Sequence, residues 1–312
     1  HIVSAASGWT DIYNLADIRD IHDYSRFPSI TVPEREPNRV VVLGEMGGFG
    51  VPVFGNNWEP LPNLKPVELP NGQIPEKDRR GRMRPIQTAS DNDWVSDTKR
   101  PVYSVEGQIA HYERFIDVLR LEQHFGLSGA IYTQLTDMRQ EQNGWLTFDR
   151  KVSKIPVDEM KRIHDKLYQR SPVRKQLVAR GSEWETYKNK VEFPLSKEKL
   201  KESKHGFIKN GKKVKQFYSY FDLAEIPDGL VMNIFLEGEH QKDVFDYLKI
   251  HLNDYRIYDD MSRHKMHELR VTCVPLTELQ MIFLRTGENK VTVEVGDVLE
   301  FDSVDLSVDA IN

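Results

Sequence analysis

The most regular hydrophobic pattern in the chain is the unbroken apolar run Val40–Leu43, which is bounded by Gly44 and by a glycine-rich turn at 47–50. Consecutive β-branched residues bounded by glycine are typical of a strand that is buried on both faces, as in a parallel sheet covered by helices. Glu45 follows this run, at the strand end where α/β barrel enzymes place catalytic groups. A glutamate that caps a helix or ends a turn is the alternative interpretation.

Apolar segments on either side of this run predict further strands, and these also end in polar side chains. We expect strands over 2–7 and 128–134, and a fourth, less regular strand over 18–22. Strands that alternate with helices indicate a parallel sheet.

Two helices are predicted from apolar residues that recur at helical spacing. The first covers 104–125 and would end at Gly126, because glycine adopts the left-handed conformation of a helix C-cap. The second covers 157–170, where Pro156 marks the start. Between the central strand and the first helix lies a long, proline-rich connection over 51–101 with two tryptophans, which predicts a folded, functional loop.

Three or four strands are too few to close an eight-stranded barrel. The chain opens at His1 without an initiator Met or a signal peptide, directly in a predicted strand. We therefore expect a fragment or a processed product whose remaining barrel strands lie before His1.

The C-terminal part of the chain has a different pattern. Residues 172–215 are charged and lysine-rich, with a turn signal at Asn210-Gly211, and predict a solvated linker or an edge hairpin. Over 216–312, short apolar segments separated by turn signals predict a β-sandwich. These segments include 281–284, and Gly287–Asn289 is a predicted turn between two of them.

Composition excludes several classes of function. The chain has 312 residues, of which 39% are hydrophobic and 29% charged, and its net charge is −5. This acidic balance does not favour nucleic acid or an anionic membrane surface, and no apolar run approaches the roughly 18 residues of a membrane span. The single cysteine, Cys273, lies in an apolar segment and excludes an internal disulfide. No His/Glu cluster has metal-ligand spacing, so neither a metal nor another cofactor is predicted.

Five motifs resemble, in order and spacing, the C-terminal half of the catalytic barrel of glycoside hydrolase family 2, the β-galactosidase and β-glucuronidase family. They are SAASGWTD at 4–11, DIRDIHDY at 17–24, VLGEMGGFG at 42–50, GLSGAIYTQLTD at 126–137 and NGWLTFDR at 143–150. IHLNDYRI at 250–257 and GENKVTVEV at 287–295 resemble, more weakly, a jelly-roll galactose-binding-like module. The resemblance implies an α/β plus all-β chain. Residues 1–171 would be the C-terminal part of a (β/α)8 TIM barrel, strands six to eight, and residues 216–312 a β-sandwich (jelly-roll) domain.

The resemblance implies that Glu45 is the nucleophile of a retaining β-glycosidase. Such enzymes use two carboxylates roughly 5 Å apart, one as nucleophile and one as acid/base. The nucleophile must stay ionised, so donors or cations are expected beside it, and the neighbouring glycines would leave space for a sugar ring. In the family the acid/base follows strand four, which this sequence does not contain. Glu106, Glu113 and Glu141 lie on a helix or in loops and are not assigned that role.

Substrate contacts are implied at further positions. His22, beside Asp20 and Tyr24, is implied as a contact to a sugar hydroxyl, the alternative being a surface or core histidine. Aromatic faces pack well on the C–H face of a sugar, but core packing accounts for them equally well. The candidate contacts are Tyr24, Trp9, Trp58, Trp145, Tyr132, Gln134 and Asp137; Asn143 and Asp149 are interpreted as turn formers.

The predicted function is therefore hydrolysis of terminal β-linked sugars, most similar to β-galactosidase, with an oligosaccharide or glycoside as substrate. The half barrel would need another chain to complete it, either the missing N-terminal half or a second copy. The alternative is a non-catalytic carbohydrate-binding protein in which the jelly-roll binds the sugar. Related enzymes are often exported by bacteria, which suggests a periplasmic or extracellular location.

Overall fold

The computed structural model describes residues 1–5, 8, 11–12, 15–24, 27–32, 37–51, 53, 56, 76–77, 83–84, 105–138, 141–179, 183–186, 190–192, 195–196, 207–209, 212–237, 248–260, 269–296 and 303–311. The chain divides into two compact units. Unit 1 comprises His1–Pro28 and Asn38–Arg170, and unit 2 comprises Ser29–Pro37 and Ser171–Asn312.

Most of the described secondary structure is β-strand. The strands are β1 (Ile18–Asp23), β2 (Ser29–Thr31), β3 (Val40–Gly47), β4 (Glu76–Lys77), β5 (Met83–Arg84), β6 (Leu127–Thr133), β7 (Arg174–Val178), β8 (Glu183–Thr186), β9 (Lys190–Glu192), β10 (Leu195–Ser196), β11 (Phe207–Lys209), β12 (Lys212–Leu223), β13 (Gly229–Glu237), β14 (Leu248–Leu252), β15 (Tyr255–Asp260), β16 (Arg270–Pro275), β17 (Gly287–Gly296) and β18 (Ser303–Ile311). The helices are α1 (Val105–Glu122), α2 (Val157–Asp165) and α3 (Glu278–Met281), and single 3₁₀ turns follow α1 and α2.

Unit 1 is built on a three-stranded parallel sheet in the order β1-β3-β6. The central strand β3 is the predicted apolar run, and Val41 and Leu43 are buried in it. The connection from β3 to β6 contains α1, as parallel strands require a crossover. Since all three strands run the same way, their carboxyl ends meet at one edge of the sheet.

The predicted helices are confirmed. One face of α1 buries apolar side chains, among them Phe115, Ile116 and Leu119. The 3₁₀ turn after α1 ends at Gly126, whose φ of 95° is left-handed and whose N–H donates to the Gln123 carbonyl. This is the cap that the sequence predicted, because glycine has no Cβ to oppose a positive φ.

The predicted strand over 2–7 is wrong for the residues that the structure describes there. Residues 2–5 are not in a strand, and Ile2 is 80% exposed. Val3 is tied to the start of β1 instead, because its carbonyl accepts from the N–H groups of Asp17 and Ile18. The irregular segment at 18–22 is the true first strand of the sheet, β1.

Unit 2 contains two antiparallel sheets. One has the order β10-β18-β13-β16-β2, with β7 also paired to β18, and the other has the order β15-β14-β17-β12-β8-β9, with β11 paired to β12. Apolar side chains are buried in both, among them Met232, Ile234, Leu306 and Val308 in the first and Ile250, Leu252, Val291 and Val293 in the second. Antiparallel sheets with buried apolar faces are consistent with a β-sandwich.

Two segments differ from the expected domain layout. The proline-flanked stretch after β1 forms β2, which pairs with β16 and so belongs to unit 2. Residues 172–215, expected to be a linker or hairpin, contribute strands to both sheets, since β7 pairs with β18 and β8 with β12. The strands on either side of the predicted turn, β11 and β12, pair in antiparallel fashion, with Lys209 opposite Lys212.

The predicted strand at 281–284 is wrong, because the short helix α3 occupies its start. Thr277 caps this helix: its side chain accepts from the Gln280 N–H at 3.2 Å, and the Gln280 side chain accepts from the Thr277 N–H at 2.9 Å. This reciprocal pair is a capping box. Gly287–Asn289, predicted as a turn, is the start of β17.

The described fold is thus mostly β-sheet with few helices. It contains three parallel strands, which do not by themselves show a (β/α)8 barrel. Among the described residues, no helix has both the length and the apolar character that a membrane crossing requires.

Candidate active site

A β-bulge positions Glu45 at the carboxyl end of β3. Ile21 pairs with Leu43 and His22 with Glu45, so Gly44 is an extra residue in β3. A bulge of this kind redirects the side chains that follow it. A Cβ on Gly44 would lie 2.0 Å from Asp20 Oδ1. Gly44 is therefore required by the close approach of the Asp20 carboxylate, and not by the space for a ligand that the sequence suggested.

Two groups from the β1 side approach the same oxygen of Glu45. The Tyr24 hydroxyl donates a short hydrogen bond to Oε2, and His22 Nδ1 lies 3.1 Å from Oε2. The Tyr24 hydroxyl also lies 3.3 Å from Thr133 Oγ1 at the end of β6. The Glu45 side chain is still 41% exposed. The ends of all three parallel strands thus meet around a solvent-accessible carboxylate.

Tyr24 acts as a hydrogen-bond donor to Glu45. Burial, and then the hydrogen bond to Glu45, raise the pKa of the Tyr24 hydroxyl well above its ordinary value. A phenol with a raised pKa keeps its proton at neutral pH, so Tyr24 donates a hydrogen bond to the Glu45 carboxylate.

His22 lies between two carboxylates. Its Nδ1 faces Glu45, and its Nε2 lies 3.8 Å from Asp20 Oδ1. The backbone at Gly8 packs directly against the ring, since a Cβ on Gly8 would lie 1.9 Å from two ring carbons. The position of the ring is thus set by Gly8 on one side and by the two carboxylates at its nitrogens.

Tyr132 belongs to the packing beneath the site. Its ring stacks on Trp145, with centroids 3.8 Å apart, and its hydroxyl donates to the Asn143 carbonyl at 2.9 Å. Burial raises the pKa of Tyr132 well above its ordinary value. Gly47, with a φ of 91°, makes room for the ring, because a Cβ there would lie 2.4 Å from Tyr132 Cε2. The structure thus places Tyr132 as a support for Trp145, whose ring is only half-buried.

Gln134 is part of a polar cluster with Glu141 and Asn143. Its Nε2 donates to Glu141 Oε2 and to Asn143 Oδ1, both at 2.9 Å. The charge of Glu141 also contributes to the raised pKa of Tyr24. The sequence interpretation had set Glu141 aside as a loop residue, and the structure gives it Gln134 as a partner.

Asp137 bonds to Lys154 and Gly144 and not to the Glu45 group. Lys154 Nζ donates to Asp137 Oδ1 at 2.6 Å and to the Gln142 carbonyl at 2.8 Å, and the Gly144 N–H donates to the same Asp137 oxygen at 2.8 Å. The side chains of Lys154 and Asp137 are 0% and 2% exposed. This ion pair fixes the loop that follows β6, and it does not present Asp137 to a ligand.

Two predicted site residues, Trp9 and Trp58, lie outside the described residues. Asp149 forms a turn as expected, since its carboxylate accepts from the Thr147 hydroxyl and the Lys151 N–H. In the part of the chain that the structure describes, no group of three or more His, Cys, Asp or Glu side chains could hold a metal ion.

Comparison with known proteins gives only distant structural neighbours. No family model and no curated protein sequence matches the chain. A family 35 carbohydrate-binding module from an environmental isolate superimposes with a TM-score of 0.26 at 12% identity, over 44% of this chain and 92% of the module. β-Glucuronidase 2 of Bacteroides uniformis superimposes with a TM-score of 0.25 at 8% identity, over 94% of this chain and 45% of the enzyme.

A third neighbour, an exo-β-1,3-galactanase of Phanerochaete chrysosporium, has a TM-score of 0.23 at 12% identity, over 46% of this chain and 30% of the enzyme. The chain thus spans less than half the length of the β-glucuronidase and of the galactanase. TM-scores this low do not establish a shared fold, so the case for a function depends on the geometry around Glu45.

Proposed function

We propose that the chain carries the nucleophile half of a retaining β-glycosidase active site, of the glycoside hydrolase family 2 type, with Glu45 as the nucleophile. One observation carries this proposal. Glu45 is a partly exposed carboxylate at the carboxyl end of the central parallel strand. Two groups at the end of the neighbouring strand β1, the buried His22 and the partly buried Tyr24, contact the same one of its oxygens.

The same proposal assigns unit 1 to the C-terminal part of a (β/α)8 barrel and unit 2 to a jelly-roll. In favour of the barrel, the sheet order β1-β3-β6 follows the order along the chain, as it does in a singly wound barrel. Ile131 on β6 is 60% exposed, although strands of parallel sheets are normally covered on both faces. In a closed barrel, the opposite wall or the outer layer of helices would cover it.

In the first step, a Glu45 oxygen attacks the anomeric carbon of the sugar. A C–O bond to Glu45 forms while the glycosidic C–O bond breaks, and the departing oxygen takes a proton from a general acid. In the second step, water attacks the same carbon, loses a proton to that group, and releases Glu45. We assign the general acid to no residue of this chain.

Tyr24 and His22 have defined roles in these steps. Because both contact Oε2, neither described contact occupies Oε1, which is the oxygen we assign to the attack. The Tyr24 hydroxyl donates a hydrogen bond to Oε2, which stabilises the carboxylate before the attack and again as it leaves in the second step. His22 Nδ1 packs against the same oxygen at 3.1 Å. We propose that Trp145 and Gln134 contact the sugar, as do Trp9 and Trp58, and that Tyr132 and Asp137 position them.

The substrate class that we propose is a terminal β-linked sugar, with a β-galactoside as the first choice. The experiment uses dinitrophenyl β-galactoside, β-mannoside and β-glucuronide, because dinitrophenolate leaves without a general acid. Glu45→Ala should lower turnover by about three orders of magnitude or more.

Rescue of the Glu45→Ala variant by added azide then tests whether Glu45 is the nucleophile. In Glu45→Ala, azide can enter the empty space and attack the anomeric carbon from the same side as Glu45, so turnover returns and the product is the α-glycosyl azide. Glu141→Gln is the matched control, since it removes a neighbouring carboxylate and should keep most of the turnover. Normal turnover of Glu45→Ala, or a β-glycosyl azide product, would contradict the assignment.

A further inference from the structure

Tyr255 and Phe283 form an exposed aromatic pair on unit 2. Their ring centroids are 3.4 Å apart and their planes are inclined by 8°, and Tyr255 is 48% exposed. Since Phe283 covers one face of the Tyr255 ring, the exposed surface is on the opposite face. The two residues come from separate segments of the chain, so the sequence showed no aromatic cluster here.

A network of asparagine side chains holds this pair in place. Asn253, which is 5% exposed, donates to the Phe283 carbonyl and to Asn289 Oδ1, both at 2.8 Å. Asn289 in turn donates to the Arg285 carbonyl at 2.7 Å. The turn before Tyr255 has two left-handed residues, Asn253 and Asp254, with φ of 47° and 71°. An aromatic face fixed in this way loses little conformational entropy when it binds a ligand.

Charged residues flank Tyr255 in the chain. Asp254 directly precedes Tyr255, its side chain is 81% exposed, and it lies 3.6 Å from Lys290 Nζ. Arg256 directly follows Tyr255 and is also exposed. The centres of protein–protein interfaces are depleted of charged residues. A flat aromatic face next to a turn that carries an exposed ion pair instead matches a pyranose ring, which has C–H groups on its face and hydroxyls around its edge.

We propose that Tyr255 is the platform of a carbohydrate-binding site on unit 2, separate from the Glu45 site. A pyranose ring of a neutral polysaccharide stacks on Tyr255, and its hydroxyls bond to Asp254 and Lys290. The choice of a carbohydrate as ligand rests on the proposed function, whereas the position of the site does not.

Affinity electrophoresis of the full chain tests this site. Native gels are cast with galactan, galactomannan or xylan, and a gel without polysaccharide gives the reference mobility. At least one polysaccharide should retard the wild-type chain. Tyr255→Ala should weaken the binding about tenfold, and Tyr255→Leu, which can still pack on Phe283, should do the same because it lacks a flat face. Tyr255→Phe keeps the ring and should still be retarded.

Two controls separate this site from other effects. Tyr220→Ala alters another partly exposed tyrosine of unit 2 and should migrate like the wild type. Glu45→Gln should also be retarded like the wild type, so the result does not depend on the proposed catalysis. A wild-type chain that no gel retards, or equal retardation of all Tyr255 variants, would overturn the proposal. So would a change in oligomeric state in Tyr255→Ala without any polysaccharide binding, since this would identify a protein contact.

Discussion

Removing the Lys154 side-chain charge should destabilise the chain strongly. The Lys154→Met variant leaves the Asp137 carboxylate in the interior, with the Gly144 N–H still donating to it. The two side chains are 0% and 2% exposed, and 2.6 Å separates Lys154 Nζ from Asp137 Oδ1. Breaking a buried pair on one side costs about 3–5 kcal/mol. We expect Lys154→Met to lose an amount in that range at pH 8.

Thermal unfolding of the full chain, followed by circular dichroism, measures this loss. Lys161→Met is the matched control, because Lys161 pairs with Asp165 at the surface, where its side chain is 71% exposed. Exposed pairs contribute about 0–1 kcal/mol. The double variant Lys154→Met/Asp137→Asn should recover most of the loss, since the amide oxygen can still accept from the Gly144 N–H.

The loss should also depend on pH in a defined direction. Burial raises the pKa of Asp137 above its ordinary value, against the opposing effect of Lys154. Without Lys154 the pKa of Asp137 rises further, so the folded variant takes up a proton as the pH falls while the unfolded chain does not. The difference in stability between Lys154→Met and the wild type should therefore shrink from pH 8 towards pH 5. Equal melting temperatures for Lys154→Met and Lys161→Met at pH 8 would refute the reasoning.

Three further predictions concern the site and the domain layout. Tyr24→Phe removes one donor to Glu45 and should lower kcat for dinitrophenyl glycosides about 10²-fold, whereas Tyr112→Phe, which alters a hydroxyl bonded to His164, should not. Gly44→Ala should lose activity because its Cβ would lie 2.0 Å from Asp20, while Gly129→Ala, with its nearest contact at 3.7 Å, should be tolerated. A fragment of residues 171–312 should show a strand-rich circular dichroism spectrum and melt cooperatively. A fragment of residues 216–312, which lacks β7 to β11, should not melt cooperatively. Equal melting of the two fragments would contradict the domain layout.

Local patterns were sufficient for the elements whose signal is local. The apolar run of β3 and the periodicity of α1 predicted both elements, because each one buries its own apolar side chains. The capping box at Thr277 and Gln280 is also a local signal, but the sequence interpretation missed it and predicted a strand there.

Long-range partners account for what the sequence did not predict. β2 has three residues, and its partner β16 lies far along the chain. No local pattern indicates such a pairing. Asp137 looked like a site residue because it follows a strand, but its partner Lys154 lies in the next loop. A polar residue after a strand has the same appearance in sequence whether it faces a ligand or a lysine.

The glycines show a similar limit. Gly44 and Gly47 were expected to leave space for a ligand, and the structure shows that they admit the Asp20 carboxylate and the Tyr132 ring instead. Their positions were informative, but the group that each one accommodates comes from a neighbouring strand. Only the strand register identifies that group.

The most direct test of the central claim is covalent trapping of Glu45. A dinitrophenyl 2-deoxy-2-fluoro-β-galactoside reacts with a retaining nucleophile without help from a general acid, and the fluorine slows the hydrolysis of the adduct. Intact mass spectrometry of the treated chain, followed by peptide mapping, locates the label. We predict one fluorosugar per chain, attached to Glu45 and absent in Glu45→Gln. A label on another residue, or a chain that remains unlabelled while it hydrolyses the substrate, would contradict the account.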